Sequence, residues 1–280
     1  MNNNQRALNL SCSVLGIGAW GPGFSNWQEL SALLRSTEHS ELVFNKPVAP
    51  IIPANERRRA PLVVKLAIET SNQAITNSGL APQKVACVFG SGIGDTEITD
   101  YLCRTLLTEE KLLSPTKFHN SVHNTAAGYW TISTGCMEAA NSIAAYHYTA
   151  GLALVEAFCQ CEQQQIPILI TVYDVEVSPV LSELFPCENN IALSLLIAPR
   201  SQPANDALAV KLQVKPNPSG RSHSLRNPAL QQVSQHNPAA ALLLLLEKIA
   251  DLTTNSNSQN QAVALPLSAA TSIDLVPILE

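Results

Sequence analysis

The 280-residue sequence lacks the features that mark a polyanion or membrane binder. Lysine and arginine number 17 against 22 acidic residues, a net charge of −5, and the one basic run, Arg57-Arg58-Arg59, is brief. Nucleic-acid binding needs a basic patch or stripe, so no nucleic-acid partner is expected and the three arginines read as a solvated helix cap. No apolar run approaches the roughly 20 residues of a membrane span; the longest is Ala239–Leu246. The opening MNNNQRALNL has no apolar core of the signal-peptide kind, so no membrane association and a cytoplasmic location are expected. Internal repeats are absent.

Chemistry-bearing patterns are also thin. Seven cysteines, an odd number scattered mostly inside apolar runs, read as reduced, buried small hydrophobes. Cys159 and Cys161 have no second pair, and on a helix their side chains point about 200° apart, so no metal site is expected. Cys136 reads as a buried structural thiol, since the neighbouring Glu138 opposes a thiolate. His119 and His123 stand four apart without the glutamate of a zinc-protease helix. Gly16, Gly18 and Gly21 spell the dinucleotide pattern, yet Pro22 and Gly23 interrupt the helix it requires, and no acidic residue closes a second strand about 20 positions on. A plain turn is the expectation there, with Ser25 and Gln28 as a later capping box, and no cofactor is implied.

What is present is an alternation of apolar strands and helices. Residues 8–18 suit a strand and 40–58, with three prolines, an extended surface loop. Leu62, Val63, Leu66, Ala67, Thr70 and Ala74 recur at helical spacing, with Gly79 as the stop. Val85–Phe89 reads as a central strand before a glycine turn, Gly90–Gly94, whose glycines suit close packing better than phosphate. A helix is expected over Asp95–Leu113. Further strands are expected at Ile166–Val172, Ile191–Ala198 and Ala207–Val214, a linker or exposed loop at Pro216–Asn237, and a helix apolar almost all round at Pro238–Leu252. These imply a layered α/β fold around one mixed sheet. The expected organisation is a lobe over 1–252, a polar linker over 253–261, and a strand-like tail over 262–280 that pairs on a sheet edge of this chain or of a partner.

The stretch Phe118–Asp174 organises the rest. An Asn-rich approach leads to Asn124 and the small-residue turn ending at Gly128, then a helix to Gly135, the apolar segment Ala139–Ala145, a sharp passage through Tyr146, His147 and Tyr148, a helix to Glu162, and a buried strand. A strand-to-helix elbow of this kind holds a nucleophile in many enzymes, because the helix dipole lowers its pKa and backbone amides can hold an oxyanion.

That order, from Asn124 through Gly128 and Gly135 to Tyr173-Asp174-Val175-Glu176, resembles the N-terminal half of a β-ketoacyl synthase of the thiolase superfamily. Val14–Gly18, Trp27–Leu30, Val85–Gly94 and the strands up to Lys215 extend the resemblance over roughly residues 8 to 215. The resemblance implies a thiolase-like layered fold with a single N-terminal-type lobe. Ungapped counting puts the family's nucleophilic cysteine on His147, and a one-residue shift that uses Gly151 puts it on Tyr148; either register leaves a ring where a thiol belongs. The second lobe, which carries the family's two histidines, has no counterpart in the 65 residues after Lys215. A condensing reaction needs a thiolate, oxyanion amides and those histidines, so no catalytic residue is expected.

Truncation with a missing nucleophile is similar to the chain-length-factor partners of type II polyketide synthases, in particular the short subunits of aryl polyene clusters. The resemblance implies a full-length β-ketoacyl synthase as heterodimer partner, with an acyl carrier protein as a further one. It places the interface at Asn124 and along Ala139, Ala140, Asn141, Ser142, Ile143, Ala144 and Ala145, because family dimers join through the strand before the elbow. An uncharged strand left at a sheet edge invites a partner on physical grounds too; the alternative is cover from the helix Pro238–Leu252. The competing functional reading is an autonomous acyl-thioester condensing enzyme or acyl-carrier-binding protein.

Overall fold

In a computed structural model of the chain, residues 9–201, 208–216, 224–253 and 261–279 are described. In chain order they form β1 (Asn9–Trp20), α1 (Trp27–Arg35), α2 (Ala54–Arg57), α3 (Leu62–Ser78), β2 (Ala86–Gly90), α4 (Thr96–Leu106), α5 (Pro115–His119), α6 (Thr125–Thr134), β3 (Ala140–Ile143), α7 (Thr149–Gln164), β4 (Ile168–Asp174), β5 (Ile191–Pro199), β6 (Leu208–Pro216), α8 (Pro228–Val233), α9 (Leu243–Leu252), β7 (Val263–Ser268) and β8 (Thr271–Leu279). The strands make one mixed sheet in the order β3-β2-β4-β5-β1-β6-β8-β7. β3, β2 and β4 are parallel, and every pairing beyond β4 is antiparallel.

Two cores flank this sheet. On one face α3 and α6 bury Val64, Leu66, Ile68 and Trp130 against Phe89, Leu169 and Leu196. On the other, α1, α7 and α9 bury Leu30, Leu154, Phe158, Leu246 and Ile249 against Ile17, Ile170 and Leu195. β2, β4 and β5 are buried at every position, which is why they read as uninterrupted apolar runs. Gly79 ends α3 and Gly135 ends α6, each in the left-handed conformation at the helix C-cap (φ 71° and 68°).

Several local expectations are corrected. Gly16 and Gly18 lie inside β1 and not in a turn. An added Cβ would sit 2.0 Å from the carbonyl oxygen of Ala74 or Thr70 on α3, so the two glycines let helix and strand backbones touch. The first helix is capped one residue later than expected, by Asn26 Oδ1 accepting from Glu29 N (2.9 Å) while Glu29 Oε2 accepts from Ser25 N (2.7 Å). α4 stops at Leu106, short of Leu113; only Thr96 and Ile98 along it are buried, and its later turns meet just the short α5 segment, through Tyr101 with Ser114 and Lys117. The 40–58 loop contains α2 and buries Ala49 and Ile52. Within Pro216–Asn237, α8 is capped by Asn227 and buries Ala229 and Leu230; residues 217–223 lie outside the described residues. Pro238–Leu242 is a 3₁₀ turn leading into α9.

The tail goes beyond the expected strand at Ala262–Leu267: β7 turns back into β8, which pairs along the whole of β6. Residues 254–260 of the expected linker lie outside the described residues. The sheet bends so that β7 arrives over α7, and a Cβ on Gly151 would lie 2.6 Å from the carbonyl oxygen of Pro266. α7 is therefore clasped between β4, β2 and β1 on one side and β7 with the Pro238–Leu242 turn on the other.

Buried hydroxyls link α3 to the sheet. Ser71 Oγ lies 2.8 Å from Thr171 Oγ1, which lies 2.8 Å from Ser194 Oγ, which donates to Thr70 Oγ1 at 2.9 Å. Gly16→Ala and Gly18→Ala should each cost about 3 kcal/mol or more in urea unfolding, since backbone must move to admit the methyl. Gly128→Ala, in a helix interior with no atom within 4 Å of its added Cβ, should instead gain about 0.5 to 1 kcal/mol.

Candidate functional site

The carboxyl ends of the parallel strands β2, β3 and β4 converge, where open α/β sheets present their ligand crevice. Three segments meet there: the Gly90–Gly94 turn, the Ala145–Thr149 elbow, and Asp174 with the loop after it.

At the elbow Tyr146 has left-handed backbone, φ 49°, a strained state for an aromatic residue. The strained position thus falls one residue before the slot counted from sequence, and it too carries a ring. Tyr146–Tyr148 form one 3₁₀ turn, closed by Tyr148 N donating to the Ala145 carbonyl (3.0 Å). Thr149 Oγ1 accepts from Ala145 N at 2.9 Å, fixing the entry into α7. The Tyr146 ring stands 3.8 Å from that of His147 and meets Phe185 edge-on at 5.8 Å. Burial, then Cys187 and Asp174, push the Tyr146 phenol up; burial, then the like charge of His236, push the His147 imidazole down. No carboxylate figures in the His147 shift. His236 was absent from the sequence reading because it sits in a stretch with linker composition, and only the long-range return of the chain brings it here.

The amides that would serve an oxyanion begin at the first turn of α7. Thr149, Ala150 and Gly151 are all buried, and β7 crosses them at the Pro266 carbonyl. That turn is closed by the chain itself.

Asp174 is the main electrostatic feature of the crevice. It is 1% exposed; Oδ1 accepts from Ser91 Oγ and Ile93 N, both at 2.9 Å, and Oδ2 from Gly92 N at 3.1 Å. Burial raises its pKa to about 6, and the donors of Ile93, Gly92, Ser91 and Gly94 oppose the rise. The glycine turn thus closes around a side chain and also packs tightly: a Cβ on Gly92 would meet Tyr146 O and Pro238 at 2.8 Å.

The residues expected at an interface lie along one edge. β3 pairs only with β2 among the described residues, and Ala139, Ala140, Asn141 and Ala144 are exposed, with Ser142, Ile143 and Ala145 half-buried. α9 packs against α1, β8 and β7 on the other side of the molecule, so cover of this edge by the C-terminal helix is ruled out. Asn124 is exposed at the opposite end of α6, about 15 Å away by helical rise.

The structure also exposes apolar side chains that the sequence did not mark as exposed. Leu106, Leu107, Leu112, Phe118, Val122, Ile132 and Met137 are all more than half exposed, from 51% at Val122 to 93% at Met137. A groove of about 360 Å³ is lined by Val122, Asn124, Gly128, Tyr129 and Ile132, and a cavity of about 690 Å³ separates α4 and α5 from the body. The helix expected over Asp95–Leu113 took in Leu106, Leu107 and Leu112 and gave no sign of their exposure.

A family model described as the N-terminal domain of β-ketoacyl synthase matches residues 26–263. No curated protein matches the sequence. Among solved structures the chain is similar to a ketosynthase, ApeO, in complex with its chain length factor, ApeC, from Xenorhabdus doucetiae: 17% identity over 95% of this chain and 99% of that chain, TM-score 0.69. It is similar to the ishigamide ketosynthase/chain length factor at 11% identity, 96% and 99% coverage and TM-score 0.74. It is also similar to a type II acyl-carrier-protein–ketosynthase complex, AntDE:AntF, at 12% identity, 96% and 99% coverage and TM-score 0.73. At such identities the likeness is one of fold.

Because the native Asp174 pKa of about 6 exceeds the unfolded value near 3.9, the native state holds this proton more tightly. Its contribution is complete below about pH 4 and is lost as pH rises through about 6. The stability difference between wild type and Asp174→Asn, from urea unfolding at each pH, should fall by about 2 kcal/mol from pH 4 to pH 7.

Proposed function

The chain belongs to the β-ketoacyl synthase N-terminal domain family, and from that membership we propose that it is a non-catalytic, chain-length-factor-like partner of a full-length β-ketoacyl synthase. The observation that carries this reading is the set of exposed apolar side chains between Leu106 and Met137, together with β3, which pairs only with β2 among the described residues. Apolar side chains left in water and an open strand edge both invite a partner. The elbow supports the same conclusion: rings stand where acyl transfer needs a thiolate, and β7 covers the helix end that would hold an oxyanion.

In this proposal β3 meets its counterpart on the synthase, and Asn124 with these apolar side chains seals the joint. The pair works in type II polyketide or fatty-acid-like biosynthesis in the cytoplasm, of the aryl polyene kind, with an acyl carrier protein delivering the growing chain. This chain stabilises the synthase and lends a wall to its acyl pocket, where Tyr146 and Tyr148 act as a steric stop whose cost rises sharply once the pocket is full. His147 is structural, since it pairs with no carboxylate and stacks on Tyr146.

Two measurements test the reading. Co-expression with a full-length synthase should give a stable heterodimer on gel filtration, and Leu107→Asp combined with Met137→Asp should abolish it while leaving this chain's own melting temperature unchanged; a heterodimer that survives both charges sinks the interface. In the assembled system Tyr146→Ala and Tyr148→Ala should lengthen or broaden the product distribution without stopping condensation. Condensing activity from this chain purified alone would overturn the assignment.

A further inference from the structure

The crevice at the carboxyl ends of β2 and β4 holds a feature that the partner reading does not use. Three donors converge on one buried carboxylate: Gly92 N, Ile93 N and Ser91 Oγ, at 2.9 to 3.1 Å from the Asp174 oxygens. Consecutive backbone N–H groups turned toward one point form the concavity that binds anions in many folds. Such a nest usually takes its anion from solution. Here the anion arrives from the end of the neighbouring parallel strand, and Ser91 Oγ also accepts from Gly94 N (3.0 Å), which keeps the turn in shape.

The turn is held from outside as well. Gly94 has left-handed backbone (φ 77°), and Gly92 lies against Tyr146 O and Pro238 with no room for a side chain. Asn237 Nδ2 donates to the Asn189 carbonyl at 2.7 Å and contacts the Asp174 carbonyl at 3.5 Å, so the loop beside the carboxylate is pinned too. The turn therefore has supports besides Asp174, and its donors offset part of the cost of burying the charge.

We infer that the Gly90–Gly94 turn is a preorganised receptor for a carboxylate, that Asp174 is its built-in ligand, and that a small external monocarboxylate takes the same place when the Asp174 carboxyl is removed. The chemistry sets the size. Asp174→Ala deletes one carbon and two oxygens, the heavy atoms of formate; acetate is one methyl larger, and tetrahedral phosphate needs room on a fourth side that the packed turn does not give. In the native protein the same occupancy keeps external carboxylates out of this turn.

The test is chemical rescue on the full-length chain at pH 8, where the wild-type carboxyl is ionised. Asp174→Ala should melt well below wild type, and sodium formate should raise its midpoint saturably, by about 3 °C or more once formate exceeds its dissociation constant roughly tenfold. Phosphate and chloride at matched ionic strength should not, and wild type should respond to formate only as it does to chloride. Equal responses of the variant to formate and chloride would overturn the inference. Should the variant not stay folded, its refolding yield from urea gives the same readout: higher in formate than in chloride supports a receptor, and equal yields refute it. Asp174→Asn supplies an independent arm, because the amide fills the space but turns a donor toward donors. It should be less stable than wild type at pH 8 and unmoved by formate, and a variant as stable as wild type would show that the turn has no need of an anion.

Discussion

A helix buried over more than half its circumference needs more than one wall, and α7 is such a helix. Thr149, Ala150, Gly151, Ala153, Leu154, Ala157, Phe158 and Cys161 are buried around it, so a single sheet face cannot shelter it. The chain supplies the second wall by carrying its sheet beyond β1 through β6, β8 and β7 and bending the last strand back over the helix. The small side chains of the first turn follow from this, since β7 approaches to the distance at which only glycine fits. The closed elbow follows too. In this thiolase-like lobe, the wall that completes the core also removes the opening at which a reactive residue would operate.

The crevice is accordingly polar in design but shut in practice. Its glycine turn, left-handed Tyr146 and helix start have the outline of a reactive centre, while the turn's amides and the carboxyl are already engaged with each other. The amides of Gly92 and Ile93 hold Asp174, the imidazole of His147 is pushed toward neutrality by burial and by His236, and the Tyr146 ring is stacked between His147 and Phe185. Exposed apolar side chains cluster in sequence on the α4–α6 arm and recur at Val180, Leu184 and Phe185 in the loop after Asp174.

Much of this was legible in residue order. β2, β4 and β5 announced themselves because a strand covered on both faces has no polar positions, and α3 and α6 because their apolar spacing ends at Gly79 and Gly135. What escaped notice depends on who faces whom. Gly16 and Gly18 looked like a turn until α3 was seen lying on them. Asp174 read as the last residue of a strand, since nothing local says that its carboxyl fills a turn 80 positions earlier. His236 and the hairpin β7–β8 were hidden by polar or short segments whose partners are remote. Leu106, Leu107 and Leu112 were absorbed into a helix, because periodicity reports a face and is silent on whether anything covers it.

Strand order also dictates how the chain must assemble. β1 precedes every other described strand, yet it ends between β5 and β6, with Cys12 opposite both Pro199 and Val210. At about 5 to 20 residues per second, it waits roughly 10 to 40 s on the ribosome before either neighbour exists. Contacts this distant in sequence close slowly, and the second wall of α7 comes later still, in the last strands to emerge. A nascent chain therefore carries β1 packed against α3 at most, with both of its strand edges unpaired until β5 and β6 have been made.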